Sequence, residues 1–405
     1  MRILDSSHPH ALARLLARDA SRDAGVERQA RTIVDDVRRR GDRALGRWAK
    51  ELDGVEPPFA VTRREMRAGW RATPPGVRRA IRMAVRHVRA VARRQVPRPF
   101  SVTPARGVRV QQCVEPLSRV GCYVPGGRFP LPSTVVMTVV PAVVAGVREV
   151  IVACPHPAPV VLAAAVEAGA TAVLRIGGAQ AIAALAYGTA TIAPVEKIVG
   201  PGNAWVTAAK ALVSADCAID FRAGPSEIVV WSDAGDPAWI AADLLAQAEH
   251  DPHARALLVT TSRRLARAVA AAMARVGRPP ANVAAVVVAS RREAIAIVNR
   301  VAPEHLVCDR SADAGVCLAG TVCVGRWTAQ AAGDYCTGSN HVLPTGGAAR
   351  HRSGLGAADF VRTVTVQTLD RRGLRAIGPA IVALAEAEGL RAHADSIRVR
   401  LGARA

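Results

Sequence analysis

Short apolar strands and helices alternate twice along the middle of this chain, and no other feature limits the fold as much. In the first run VREVIVACP is a strand, VVLAAAVEAGA a helix stopped by glycine, TAVLRIGG a second strand and AQAIAALAYG a second helix. In the second run SEIVVWSD, RALLVTTS, VAAVVVAS and AGTVCVG are strands, with PAWIAADLLAQAEH, RRLARAVAAAMARV and RREAIAIVNRV as helices between them. Strands that are apolar throughout and joined by helices pair in parallel, with helices covering the sheet faces. The prediction is two tandem Rossmann-like α/β domains. Ahead of them, apolar residues spaced three and four apart from Glu27 to Trp48 and from Val77 to Val91 predict helices, ended by Pro97 and Pro99. Behind them, LRAIGPAIVALAEAEGL predicts one more helix. The expected spans are a helical section 1–100, α/β domains 101–232 and 233–360, and a helical tail 361–405.

Composition suits that scheme. The chain has 405 residues, 50% hydrophobic and 21% charged, which excludes a disordered chain. Aromatics are only 3%, so Ala, Val, Leu and Ile must build the cores. No apolar run reaches the ~18–20 residues of a membrane span, and the N-terminus has no apolar stretch ending in a small-residue cleavage site. A non-exported, cytoplasmic protein with no membrane partner is expected. The net charge of +21 comes almost wholly from scattered arginines. That argues against nucleic acid as a partner and favours attraction of anionic ligands such as a dinucleotide. The 8 cysteines form no C-x-x-C pair and several sit in apolar runs, as small buried hydrophobes do.

Chemistry-bearing residues concentrate in a few loops. Gly121–Thr134 (GCYVPGGRFPLPST) and Gly200–Trp205 (GPGNAW) permit close backbone approach, but neither is a standard nucleotide fingerprint, and each also suits a plain turn. QAEH sets Gln247 and His250 at i and i+3 on one helix face, a spacing that can hold one metal or mean nothing. Glu304 and His305 are adjacent after Pro303; neighbouring side chains diverge within an element, so they share a site only in a loop or at an element's end. Asp334, Asn340 and His341 lie in a glycine-bounded polar loop, and Glu388 and His393 flank Gly389. Imidazole and carboxylate are good zinc ligands; an amide oxygen is an unusual one.

These stretches, with YVPGG, GGAQAIAALAYGT, KIVGPGNAWV, AGPSEI, APEHL, GSNHVLPT and EGLRAH, occur in the order found in histidinol dehydrogenases, and the chain closely resembles that family from about Val120 to Leu401. The resemblance implies an aldehyde-dehydrogenase-like pair of α/β domains, a homodimer, NAD and one Zn²⁺ per subunit. It implies NAD-dependent oxidation of L-histidinol through L-histidinal to L-histidine. Carried over position by position, Glu304 and His305 are the acid–base pair. Tyr123, Gln180 and Asn203 contact NAD. Gln247, His250, Asp334 and His393 hold zinc, with His393 reaching across the dimer. Ser226, Gln247, His250, His305, Asp334, Glu388 and His393 contact the substrate, and His341 faces the same site. Asp251 and Pro252 depart from the usual Gly-Pro after QAEH. The alternatives are a related dehydrogenase acting on another small polar alcohol, which the presence of both Glu388 and His393 disfavours, and a basic nucleic-acid-binding protein on the same fold.

Overall fold

Strand β1 (Arg2–Asp5) opens the chain and is followed by helices α1 (Pro9–Leu16), α2 (Ala24–Arg40), α3 (Asp42–Asp53), α4 (Arg63–Ala72) and α5 (Pro75–Gln95). Strands β2 (Phe100–Ala105) and β3 (Val108–Pro116) come next. The first alternating run is β4 (Arg119–Tyr123), α6 (Pro132–Ala145), β5 (Glu149–Ala153), α7 (Pro159–Ala168), β6 (Ala172–Leu174), α8 (Gly178–Tyr187), β7 (Lys197–Val199), α9 (Ala204–Val213) and β8 (Ala218–Ile219). The second is β9 (Glu227–Trp231), α10 (Pro237–Ala248), β10 (Arg255–Thr260), α11 (Arg263–Val276), β11 (Val283–Val287), α12 (Arg291–Val301), β12 (His305–Cys308), α13 (Ser311–Ala314), β13 (Thr321–Val324) and α14 (Gln330–Tyr335). The chain closes with β14 (Val361–Leu369), α15 (Arg371–Ala387) and α16 (Arg391–Leu401). This computed structural model describes residues 1–17, 23–127, 129–222, 224–249, 253–277, 280 and 282–402.

Two units make up the chain: Met1–Gln95 with Leu117–Phe360, and Val96–Pro116 with Val361–Ala405. The first unit holds two parallel sheets. One runs in the order β6-β5-β4-β7-β8 and the other β1-β11-β10-β9-β12-β13. Their central strands are buried on both faces, which explains the unbroken Val, Ile and Ala runs. Helix α2 packs on α8 and α9 at one face of the first sheet, while α4 and α5 pack on α7 and α6 at the other. The N-terminal helices thus bury apolar helices that the sheet alone would leave bare. Helix α6 is buried nearly all round. Among the described residues no helix is long and apolar enough to cross a membrane.

The helical reading of the N-terminal section misses β1. Its four residues, RILD, pair in parallel with β11 from Arg2↔Ala284 to Asp5↔Val287. A segment that short shows no period of its own, and its partner is far along the chain. In the second unit β2, β3 and β14 form an antiparallel sheet in the order β14-β3-β2, beside the packed pair α15 and α16.

Candidate active site

Helix α12 is capped by Ala302, a non-glycine residue held at φ 44°. Pro303 follows, and β12 begins at His305. Glu304 and His305 therefore stand at an element's end, where adjacent side chains can converge. His305 Nε2 lies 3.6 Å from Glu304 Oε1 and 3.8 Å from Asp334 Oδ1. Both members of the pair are buried, at 6% and 4% exposure. The second Glu304 oxygen accepts the Glu227 backbone N–H at 3.1 Å, so the first residue of β9 holds the carboxylate in place. Ser226 immediately precedes that residue and is half-buried.

The sequence reading has no place for Gln330. Its Nε2 donates to Asp334 Oδ2 at 2.5 Å and lies 3.4 Å from His305 Nε2, and the residue is 1% exposed. The i, i+4 spacing on α14 puts Gln330 and Asp334 on one face, the only trace of this role in the sequence. Burial opposes a charge on His305, but the Glu304 carboxylate, helped by Asp334, outweighs it and holds the imidazole pKa above its usual value.

The loop after α14 is fixed from two sides. His87 Nδ1 of α5 lies 2.7 Å from the Cys336 carbonyl oxygen. Gly338 packs so tightly that a Cβ there would sit 2.8 Å from the His87 carbonyl oxygen, and its φ is 99°. Asn340 Nδ2 donates to the Met137 carbonyl of α6 at 2.7 Å. His341 Nδ1 is 2.9 Å from the Asp334 backbone oxygen, and burial pushes its pKa down against the Asp334 charge. His341 thus joins the group around Asp334.

Gln247 lies in the last turn of α10, which packs against α14. It is 1% exposed, and its Oε1 is buried without a hydrogen-bond partner. One turn earlier Asp243 accepts the Gln330 backbone N–H, and burial raises its pKa to about 6. His250 lies outside the described residues. Among the described residues no group of three or more His, Cys, Asp or Glu is placed to hold a metal. Glu388 and His393 belong to the second unit, where both are exposed; Glu388 caps α15 and His393 lies in the first turn of α16.

Tyr123 ends β4, Gln180 lies in the first turn of α8 after β6, and Asn203 precedes α9 after β7. All three occupy the carboxyl-end side of the first sheet, the usual ligand edge of an open α/β sheet. Tyr123 Oη accepts the Gly178 N–H at 3.2 Å. Asn203 caps α9, with Oδ1 accepting from Val206 N at 3.0 Å. Gly200, at φ 112°, approaches so closely that a Cβ would lie 2.1 Å from the Tyr123 carbonyl oxygen. The buried pair Lys210–Asp220 pins this turn: Lys210 donates to the Gly200 carbonyl at 2.9 Å and Asp220 accepts its N–H at 2.8 Å.

The second sheet reverses that rule. Ser226, Glu304 and His305 lie at the amino ends of β9 and β12. The carboxyl ends are closed by their own bonds: Asp309 accepts from Ser232 at 3.0 Å and Asp233 accepts from Thr260 at 3.2 Å. Burial pushes the Cys122 thiol to about 12 and the Cys323 thiol to about 11, so neither supplies a thiolate nucleophile.

A sequence model of the histidinol dehydrogenase family matches residues 16–401. The chain belongs to the histidinol dehydrogenase family. It is 44% identical to the histidinol dehydrogenase of Rhizobium meliloti, over 98% of this chain and 97% of that one. It is 44% identical to that of Methanothermobacter thermautotrophicus, over 91% and 92%. The crystal structure of histidinol dehydrogenase from Elizabethkingia anophelis matches with a TM-score of 0.93 at 31% identity, covering 99% of this chain and 98% of that one. As a histidinol dehydrogenase family member the chain is an oxidoreductase of histidine biosynthesis, a dehydrogenase acting on a small molecule.

Proposed function

We propose that the chain oxidises L-histidinol to L-histidine through L-histidinal, with two NAD⁺ reduced per substrate, at the site around Glu304, His305 and Asp334. The convergence of two carboxylates and Gln330 on one buried imidazole carries this reading. Bound NAD⁺ supplies the hydride acceptor. His305 takes the hydroxyl proton from the alcohol as the hydride leaves, and burial with fixed carboxylates suits it to do so. The aldehyde has no second hydride to give until water adds to its carbonyl. Glu304 takes a proton from that water, and His305 then deprotonates the hydrate. Tyr123, Gln180 and Asn203 are proposed to hold the dinucleotide.

The residues present also fit zinc. A buried amide oxygen with no partner is destabilising by ~1–3 kcal/mol unless something binds it, and Gln247 Oε1 is such an atom. Gln247, His250, Asp334 and a partner subunit's copy of His393 would hold the ion, which would supply a Lewis-acidic anchor for the substrate. Exposed apolar residues of the second unit, among them Phe100, Val102, Leu384 and Leu390, support a homodimer. That the eight cysteines form no disulfide with one another supports a cytoplasmic location.

Chelation is expected to remove zinc and turnover together while the far-UV circular dichroism stays unchanged. Gln247→Leu is expected to abolish zinc uptake by elemental analysis. Because it replaces an unpartnered acceptor with an apolar group of similar shape, it should also raise the stability of the metal-free protein by about 1–2 kcal/mol. Full zinc content in Gln247→Leu would contradict the metal assignment.

A further inference from the structure

Gln180 occupies the third helical position of α8, with Gly177 as the N-cap. A glutamine there ordinarily folds back so that its amide oxygen accepts the N-cap N–H. It does not do so here. Asp53, the last residue of α3, accepts the Gly177 N–H, and its Oδ2 also accepts from Gln180 Nε2 at 2.8 Å. The local bond is taken, and only the NH₂ end of the amide can face a carboxylate. The oxygen is therefore turned the other way. It is buried and has no hydrogen-bond partner, and the side chain is fully enclosed. Gly178 makes the orientation sterically feasible: a Cβ there would lie 2.5 Å from Gln180 Oε1.

We propose that Asp53 is a positioning residue of the dinucleotide site, holding the Gln180 amide so that its oxygen is reserved for a hydrogen-bond donor of the bound cofactor. The proposal rests on the reading of Gln180 as a dinucleotide contact. Asp53 closes α3, where the helix dipole disfavours a carboxylate, but its side chain meets the N-terminus of α8, where the dipole favours one, so capping and positioning must be separated by experiment. Burial also raises its pKa despite the favourable charge of His156 and the bonds from Gln180 and Gly177, so the charged form is held against a desolvation penalty.

The experiment uses the full-length, zinc-loaded enzyme with three variants, Asp53→Ala, Asp53→Asn and Gln180→Ala. NADH affinity is read by fluorescence titration, with KM for NAD⁺, KM for histidinol and the thermal midpoint alongside. Asp53→Ala is expected to weaken NADH binding and raise KM for NAD⁺ roughly tenfold, the loss of one charge-assisted positioning bond. KM for histidinol should not rise with it, and the thermal midpoint should not fall. Asp53→Asn keeps an acceptor oxygen at the same place and is expected to restore NADH binding. Unchanged NADH binding in Asp53→Ala, with weakened binding in Gln180→Ala, would overturn the proposal and leave the Gln180 reading intact. Unchanged binding in Gln180→Ala would overturn both. Loss of folding in Asp53→Ala, equal losses for NAD⁺ and histidinol, or no rescue by Asp53→Asn would show a structural role and overturn the proposal.

Discussion

His305→Asn is expected to slow histidinol oxidation and histidinal oxidation alike, by roughly 10²–10⁴-fold. The same imidazole serves both steps in this account, taking the alcohol proton first and the hydrate proton second. Asparagine preserves a polar group beside Gln330 and Asp334 but has no basic nitrogen. The site should keep its shape, since Glu304 is anchored independently by the Glu227 N–H at 3.1 Å and Asp334 by Gln330. Steady-state rates with each substrate separate the half-reactions. A variant that oxidises histidinal at the normal rate would remove His305 from the second step.

The second large effect is a recovery of activity. His393→Ala subunits and His305→Asn subunits should each be inactive alone. If the tail of one subunit completes the site of its partner, a mixed dimer has one site with both defects and one with neither. Random exchange should then restore roughly a quarter of the wild-type activity, since half the dimers are mixed and half their sites are intact. If His393 serves its own subunit, every site keeps a defect. A mixture that stays inactive, with mixed dimers shown to form by mass spectrometry, would exclude the shared site.

The parts of the fold that could be read from sequence are those with a local signature. Strands β5, β6, β9, β10, β11 and β13 announce themselves as Val, Ile and Ala runs, and helices α7 and α8 end at Gly169 and Gly188, whereas β4 and α6 lie partly in the stretch Gly121–Thr134 that reads as a glycine- and proline-rich loop. Strands without such a signature were illegible. In β1 the hydrogen-bonding partner lies far along the chain, and β12 is the short HLVC next to residues read for their chemistry. Strand β14 (VRTVTVQTL) is rich in Val and Thr, as strands are, but is largely exposed and lacks an apolar run.

In the site, residues with distinctive chemistry stood out: the Glu304–His305 dipeptide and Asp334 in its glycine-bounded loop. The residues that hold them did not. Gln330 is an ordinary amide in TAQAAGD, and its function depends on α14 facing β12. Asp53 and His87 lie 127 and 249 positions from their partners Gln180 and Cys336, so no spacing rule connects them. Asp243 meets the Gln330 backbone only because α10 packs against α14.

The central claim is that one buried site carries out two successive oxidations of the same substrate. The most direct measurement is the amount of NADH formed per histidinol consumed, under excess NAD⁺ and followed to completion. The account predicts two NADH per histidinol with histidine as the product, and a yield falling towards one, with histidinal accumulating, in Glu304→Gln. One NADH per histidinol in the unmodified enzyme would contradict it.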